Sequence, residues 1–263
     1  MPNLRLVRQR DPDVQGTESG FPEALGRAEP QRRDAWFRAY LASLLQRDVR
    51  DYSNIEGLHD MSRLLSLLAA RASSLLNMAE VSRATGIAHS TLRRYLTLLE
   101  ALFIVQPLPA WSANLGKRLV KAPKVHLIDA GLTAHLRGHT DPAALALSAQ
   151  LGPLLETFAV QELRRHLRSA ETAATAWHFR TAAGQEVDLV LEAPSQRIVG
   201  IEVKASASIT QGDFNGLREL ANAAGKSFAR GVVLYTGEQL MPFEEHLWAV
   251  PLGVLWAGGS GAA

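Results

Sequence analysis

The sequence predicts an α/β (α+β) protein in two parts, a helical first half carrying a helix-turn-helix and a second half that combines helices with a sheet. Three observations predict it. Apolar residues recur at helical spacing in successive segments between residues 35 and 103. Three short runs rich in Val, Ile and Leu, separated by polar turns, fall between residues 174 and 204. One helical pattern precedes those runs and another follows, with a further strand after it, an order expected of an α/β domain.

Residues 1–20 are polar and aperiodic and are expected to be disordered or incidental. Ala35 to Val49 has Trp36, Tyr40, Leu41, Leu44 and Leu45 on a helical period and ends in Arg47-Asp48-Val49-Arg50; a second helix from about Leu58 to Leu76 carries Leu64, Leu65, Leu67 and Leu68 as an apolar stripe. Asn77, followed three residues later by Glu80, reads as an N-cap with an acid in the first turn. The short helix it opens ends at Thr85-Gly86. Ser90 can then cap a longer helix in which Leu92, Leu96, Leu99 and Phe103 form one buried stripe, leaving Thr91, Arg93, Arg94 and Thr97 outward. Short helix, glycine turn, second helix with a polar-basic outer face is the helix-turn-helix pattern. Phe103 to Leu108 and Lys117 to Asp129 read as two strands around a basic loop, which would make a winged helix. A linker with a short helix covers Gly131 to Ser148. A long helix is expected over Ala149–Arg168, strands over Ala174–Thr181, Glu186–Glu192 and Arg197–Lys204, a helix over Gln211–Ala224, a strand over Gly231–Tyr235, and short strands near Leu247–Val250 and Gly253–Trp256. The expected organisation is thus 1–20 incidental, 21–140 helical with the winged helix-turn-helix, 141–257 α/β domain, and 258–263 flexible tail.

The chain has 263 residues, enough for two modest cores, with 47% hydrophobic and 21% charged residues, ordinary for a globular protein. It has no cysteine, which excludes disulfides and thiolate metal sites. The absence of an 18-residue apolar run or a signal-peptide core leads to the expectation of a cytoplasmic protein without a membrane partner. The net charge of +2 is unevenly spread. Arg83, Arg93, Arg94, Lys117, Arg118, Lys121 and Lys124 face one acid, Glu100, between residues 83 and 124, a local excess of six that leaves the remainder near −4. A basic block overlapping the second helix and the wing points to DNA, with Arg83, Ser90, Thr91, Arg93, Arg94, Lys117, Arg118 and Lys121 as contacts made mostly to phosphates. His126, His135 and His139 lack the spacing of a zinc site and read as structural. The tryptophans are scattered and read as core. No nucleophile elbow or dinucleotide fingerprint appears.

The chemistry lies in a predicted hairpin. Asp188 sits in Glu186-Val187-Asp188-Leu189-Val190-Leu191, and Glu202-Val203-Lys204 ends the next apolar run. Residues two apart on a strand share a face, so Glu202 and Lys204 point the same way, and in regular register Asp188 joins them. Two carboxylates and an ammonium can bind a divalent cation and position a water. A salt-bridged surface hairpin is the alternative. The apolar run before Glu202 argues for a central strand, where a charge is costly unless used or paired.

The helix, the hairpin with Asp188 and Glu202-x-Lys204, and the following helix and strand resemble the PD-(D/E)XK restriction-endonuclease-like phosphodiesterases. That resemblance implies that Asp188 and Glu202 hold Mg²⁺ or Mn²⁺, that Glu156 in the preceding helix joins them as ligand, and that Lys204 orients the attacking water. Asp188, Glu202, Lys204 and Glu156 are then the catalytic set. Arg180, just before the hairpin, is a candidate phosphate contact or a partner of Glu186. A wider resemblance rests on Gly20-Phe21-Pro22-Glu23-Ala24, Arg47-Asp48-Val49, Lys124 to Leu132, Gly152 to Glu156, and Phe179-Arg180-Thr181 with Glu186-Val187-Asp188. These blocks are similar to the C-terminal half of a prokaryotic family that joins an AAA-type ATPase to a winged helix and a nuclease-like domain of unknown function. That implies an ATPase as partner protein, with self-association left open. No G-x-x-x-x-G-K-[ST] phosphate loop occurs here, so ATP hydrolysis is not assigned. The chain begins near where that ATPase would end, as expected of a short form, a truncated product or half of a split system. The expected function is a DNA-binding protein with a Mg²⁺-dependent phosphodiesterase site. The alternative is a non-cleaving DNA-binding or protein-interaction module that works with a separate ATPase.

Overall fold

The computed structural model of the protein describes residues 20–27, 29–45, 58–118, 121–139 and 141–255. It is a mixed α/β structure whose described residues divide into two compact units, one formed by residues 20–107 together with Ala122–Thr157, the other by Leu108–Lys121 and residues 158–255. The terminal segments 1–19 and 256–263 and the stretch containing Arg47-Asp48-Val49 lie outside the described residues.

The first unit is helical. It contains α1 (Pro22–Leu25), α2 (Pro30–Ser43), α3 (Leu58–Ala70), α4 (Met78–Thr85) and α5 (His89–Ala101). These are followed by the strands β1 (Val105–Leu108) and β2 (Lys124–Leu127), which pair as a two-stranded sheet. Met61, Leu64, Leu65, Leu68 and Ala69 of α3 are buried, an i, i+3, i+4, i+7, i+8 face. They share a core with Val81 of α4 and Leu92, Tyr95, Leu96 and Leu99 of α5. Helix α3 stops six residues before the expected Leu76. Ser73 adopts a left-handed φ of 68°. The N–H groups of Ser73 and Leu76 then donate to the carbonyls of Val125 and Pro123 at 2.7 and 2.8 Å. The segment thus trades helical hydrogen bonds for bonds to the chain at β2.

The turn chemistry follows the sequence closely. The Glu80 N–H donates to Asn77 Oδ1 at 3.1 Å, and Gly86, at φ 72°, ends α4 in the left-handed region. Helix α5 starts two residues earlier than expected, with Ala88 at the N-cap and no side-chain cap, so Ser90 lies inside it. Its apolar stripe ends at Leu99. Phe103 does not extend it: its backbone is left-handed (φ 59°) and its side chain is 67% exposed. The helix closes with the Ile104 N–H on the Leu99 carbonyl, and Ile104 takes the core position. The expected second wing strand, Lys117–Asp129, is shorter. Residues Leu115–Arg118 form a helical turn, α6, and among the described residues of this stretch the strand is Lys124–Leu127. Helices α7 (Ala130–Leu136) and α8 (Pro142–Ala146) follow, capped by Asp129 and Asp141.

Helix α9 (Leu151–Ser169) runs through the division between units. The second unit is a six-stranded mixed sheet in the order β3 (Thr175–Arg180), β4 (Glu186–Glu192), β5 (Ile198–Lys204), β6 (Phe228–Tyr235), β8 (Leu247–Pro251), β7 (Met241–Glu244). β3, β4 and β5 are antiparallel neighbours, β5–β6 and β6–β8 are parallel, and β7 is antiparallel to β8. A parallel neighbour requires a crossover. Between β5 and β6 it consists of a 3₁₀ turn, Gln211–Phe214, and α10 (Asn215–Ala224). The expected strand Gly253–Trp256 is instead a 3₁₀ turn, Leu252–Leu255, because β8 ends on Pro251, which lacks an N–H to extend the ladder.

Three glycines set the closeness of α10 to the sheet. A Cβ on Gly200 of β5 would stand 2.7 Å from Leu217 Cδ2 and from Leu220 Cδ2, and one on Gly231 of β6 would stand 3.3 Å from Leu217 Cβ. A Cβ on Gly216 would fall on the carbonyl oxygen of Glu186. Around this contact Val187, Val190, Phe214, Leu217, Leu220, Val233 and Tyr235 form the core. Because the obstacle at Gly216 is backbone, we expect Gly216→Ala to destabilise the unit by about 1–3 kcal/mol. Gly152→Ala, where nothing lies within 4 Å, should leave the denaturation midpoint unchanged or raised. Chemical denaturation of the two variants checks this.

Candidate functional site

Asp188 stands at a β-bulge. Trp177 pairs with Val190 and Phe179 with Val187, so two residues of β4, Asp188 and Leu189, oppose the single residue His178 of β3. A bulge of this kind re-aims a side chain and interrupts pairing. On the other side of β4 the ladder to β5 ends at Leu189↔Ile201. One step further, the Asp188 carboxylate substitutes for the strand and accepts the Val203 N–H at 2.9 Å. Asp188 is 7% exposed. The unshifted β4–β5 register, continued by one step, sets Asp188 opposite Glu202 as regular pairing predicts, and the hydrogen bond to the Val203 N–H holds the carboxylate there while the bulge frees this part of β4 from β3.

Gly200, Glu202 and Lys204 alternate onto the face of β5 that α10 covers. Gly200 lies under the helix, and the two charged residues continue the strand beyond it. Lys204 Nζ is 2.9 Å from Glu202 Oε1. Burial works against the lysine's charge, but the carboxylates of Glu202, Asp188 and Asp213 outweigh it and hold the ammonium above its ordinary range. Lys204 is thus a fixed cation near neutral pH, suited to orienting a group or balancing negative charge and unsuited to accepting a proton.

Asp213 was not singled out from sequence. It accepts from the backbone N–H and the hydroxyl of Thr210, both at 2.8 Å, closing a capping box at the turn before α10. The signal was present as Thr210-x-x-Asp213 ahead of an apolar helix.

Glu156 belongs to the first unit. Its Oε1 lies 2.8 Å from Nζ of Lys124, both within the first unit, and Lys124 is only 2% exposed. Nearby, Ser73 Oγ donates to the Pro153 carbonyl at 2.9 Å and lies 3.0 Å from Thr157 Oγ1. His126 Nδ1 is 3.4 Å from that same hydroxyl. His135 Nδ1 is 2.6 Å from Asp34 Oδ1. Among the described residues no group of three or more His, Asp or Glu side chains is placed to hold a metal ion. Asp188 and Glu202 fit the lighter requirement of a hard divalent cation that keeps several waters and takes one or two carboxylates. The potential that keeps Lys204 charged is also one that attracts a cation.

The basic residues of the 83–124 block divide by role. Arg83, Ser90, Arg93 and Arg94 are exposed on α4 and α5, with Thr91 half-buried beside them. The Arg94 guanidinium lies over the Tyr95 ring at 5.7 Å. Lys117 and Arg118 lie on α6, in the unit that contains the large sheet. Arg118 makes a two-armed pair with Glu192 at 2.6 and 2.9 Å and lies 4.9 Å from the centre of the Trp177 ring. With Ala110 bridged to His178, this anchors residues 108–118 along β3. Lys121 Nζ donates to the Arg180 carbonyl at 3.2 Å, and the Arg180 guanidinium pairs with Glu186 across β3 and β4.

The Arg118 hydrogen bonds, together with the one from Trp111, hold the Glu192 carboxyl below its usual range, against the opposing effect of burial. A depressed carboxylate contributes stability above its unfolded value near 4.5 and loses it as pH falls through the lower folded value. We therefore expect acid unfolding monitored by tryptophan fluorescence to shift to higher pH in Arg118→Ala. Glu192→Gln should flatten that limb of the stability curve below pH 4.5. At neutral pH Arg118→Ala should cost about 1–3 kcal/mol, because it leaves a half-buried carboxylate without its charged partner.

Comparison with known proteins gives two family matches. Residues 17–143 match a domain of unknown function, DUF8612, and residues 151–255 match another, DUF4143. The chain is 30% identical over 243 residues to an uncharacterized protein of Mycobacterium tuberculosis, Rv2008c, and likewise to Mb2031c of Mycobacterium bovis. Each alignment covers 92% of this chain and 53% of the relative, so the chain spans about half the length of the curated relatives it matches. Among solved structures it is similar to a half-complex from the tetradecameric assembly of Thermococcus gammatolerans McrB AAA+ hexamers with bound McrC. That similarity has 16% identity, covers 72% of this chain and 46% of the other, and has a TM-score of 0.30, too low to carry an argument about fold. Among the described residues no helix is long and apolar enough to cross a membrane.

Proposed function

We propose that the protein binds DNA through the helix-turn-helix of its first unit and carries a nuclease-like phosphodiesterase site at the end of β4 and β5. The observation that carries this reading is the end of the β4–β5 ladder, where the Asp188 carboxylate takes the Val203 N–H and an acid, a second acid and a charged lysine come under one another's influence. Charged groups this buried are costly in a sheet unless they are used or fully paired. In this reading Asp188 and Glu202 hold a Mg²⁺ or Mn²⁺ ion. When bound, the ion lowers the pKa of a water and offsets charge on the phosphoryl oxygens. Lys204 positions the water or the phosphate from the same face. Asp188, pinned by the Val203 N–H, keeps its carboxylate pre-oriented. Arg83, Arg93 and Arg94, with Ser90 and Thr91, hold the duplex mainly through phosphates, in the manner of a winged helix. A PD-(D/E)XK-type domain accounts for the order of α9, the β4–β5 hairpin, α10 and β6.

A second reading has one observation of its own. Glu156, the third acid such a site would recruit, is ion-paired with a buried lysine. That favours a module that binds DNA or protein without cleaving. The match to DUF4143, a domain found in AAA-ATPase-associated proteins, supports a separate ATPase as its partner.

Nicking of supercoiled, single-stranded and branched DNA in Mg²⁺ and Mn²⁺ separates the two. We expect cleavage that Asp188→Asn reduces by at least about 100-fold while DNA affinity is kept, since asparagine can still accept the Val203 N–H. Intact DNA in every form, from protein that binds it, would sink the phosphodiesterase reading and leave the second. Arg93→Ala with Arg94→Ala should weaken binding uniformly across sequences and lower the salt dependence by about one unit per lost phosphate contact. No binding at low salt would remove DNA from both readings.

A further inference from the structure

We propose that Arg164 and Arg168, on one face of α9, form a binding site for a phosphate oxyanion. The two lie four residues apart in the last turns of the helix, where side chains are neighbours and like charges repel. Their neighbours on the helix are engaged: Arg165 pairs with Glu162, and His166 Nε2 lies 3.0 Å from the Leu255 carbonyl. Neither Arg164 nor Arg168 has an acidic partner among the described residues. Nη1 of Arg164 is buried and meets no hydrogen-bond acceptor there.

A buried guanidinium nitrogen without an acceptor forfeits its hydration for nothing, and a second cation beside it adds to the cost. Burial first, and then the charge of Arg168, depress the Arg164 guanidinium, as expected of a cation held without a counter-charge. The helix C-terminus accounts for Arg168, whose charge complements the negative end of the dipole. It does not account for the buried, unmatched donor one turn earlier. An oxyanion with several acceptors would supply what is missing, since a guanidinium fork matches phosphate oxygens in pairs. Arg137 of the first unit is a useful contrast. It too has a buried Nη1, but its Nη2 is held by the Ala70 carbonyl at 2.8 Å. The phosphate could belong to a nucleic-acid backbone or be free.

The test uses the full chain and the variants Arg164→Gln, Arg168→Gln and Arg164→Lys, the last keeping charge but losing the fork. Thermal unfolding in inorganic phosphate, against chloride at equal ionic strength, reads free oxyanion binding; fluorescence anisotropy with labelled single-stranded and duplex DNA across a salt series reads the backbone. We expect phosphate to raise the midpoint of the wild-type chain and of none of the three variants. The glutamine variants should also bind DNA several-fold more weakly, with a salt dependence lower by about one unit per lost contact. An effect in the phosphate arm alone assigns the site to a free phosphate, and one in the DNA arm alone to a backbone. Equal phosphate stabilisation of wild type and variants, with unchanged DNA affinity and salt dependence, overturns the proposal. If Arg93→Ala with Arg94→Ala still weakens DNA binding in that case, the DNA-binding reading survives without it. A variant that melts early in chloride is replaced by Arg164→Lys, whose retained charge leaves only the fork to be tested.

Discussion

The second unit depends on how closely α10 can lie on its sheet. Gly200, Gly216 and Gly231 leave no side chain in the gap, and a methyl group at Gly216 would meet the backbone of β4 directly. With the helix so close, Leu217 and Leu220 reach the strand surface and exclude water from the centre of the sheet. The same contact determines where the covered part of β5 ends. Gly200 is under the helix, and Glu202 and Lys204 emerge beyond its first turn, partly buried but not enclosed.

Within that geometry the electrostatics follow from a count of local charges. Three carboxylates, Asp188, Glu202 and Asp213, act on one ammonium. Burial alone would favour a neutral lysine; the acids prevail, and the site keeps a cation and an excess of negative charge together. Asp188 contributes twice, as a charge and as the acceptor that terminates the β4–β5 ladder. Its position is therefore set by a backbone hydrogen bond rather than by the conformational freedom of a surface side chain.

The first unit spends its basic residues differently. Lys124 is buried against Glu156, while Arg83, Arg93 and Arg94 remain on the outer faces of α4 and α5. Arg118, from the same basic stretch, belongs to the sheet-containing unit and pairs with Glu192 within it. A stretch that reads as one basic block is thus an internal ion pair, a clamp on a sheet edge and a solvent-facing helix surface. Only the last carries the polyanion argument, which rests on fewer residues but on ones whose side chains face solvent.

The local signals were legible in the residues. Asn77 with Glu80, Gly86, the alternating runs of β4 and β5 and the stripe from Leu92 to Leu99 each encode a turn, a cap or a face through nearest-neighbour chemistry, and each appears where that chemistry puts it. What failed needed a distant partner. Phe103 continues a helical period, yet the helix closes before it because Ile104 packs better. Helix α3 ends early because the chain at β2 offers Ser73 and Leu76 acceptors at no cost in helix ends. Sequence by itself determined which residues could carry chemistry, since composition and period decide what can be a strand, a cap or a charged exception on an apolar face. Only the tertiary structure decided which of them meet. The bulge at Asp188 and the pairings of Lys124 with Glu156 and Arg118 with Glu192 join residues tens of positions apart or turn on one extra residue in a ladder, and neither spacing nor propensity encodes such contacts.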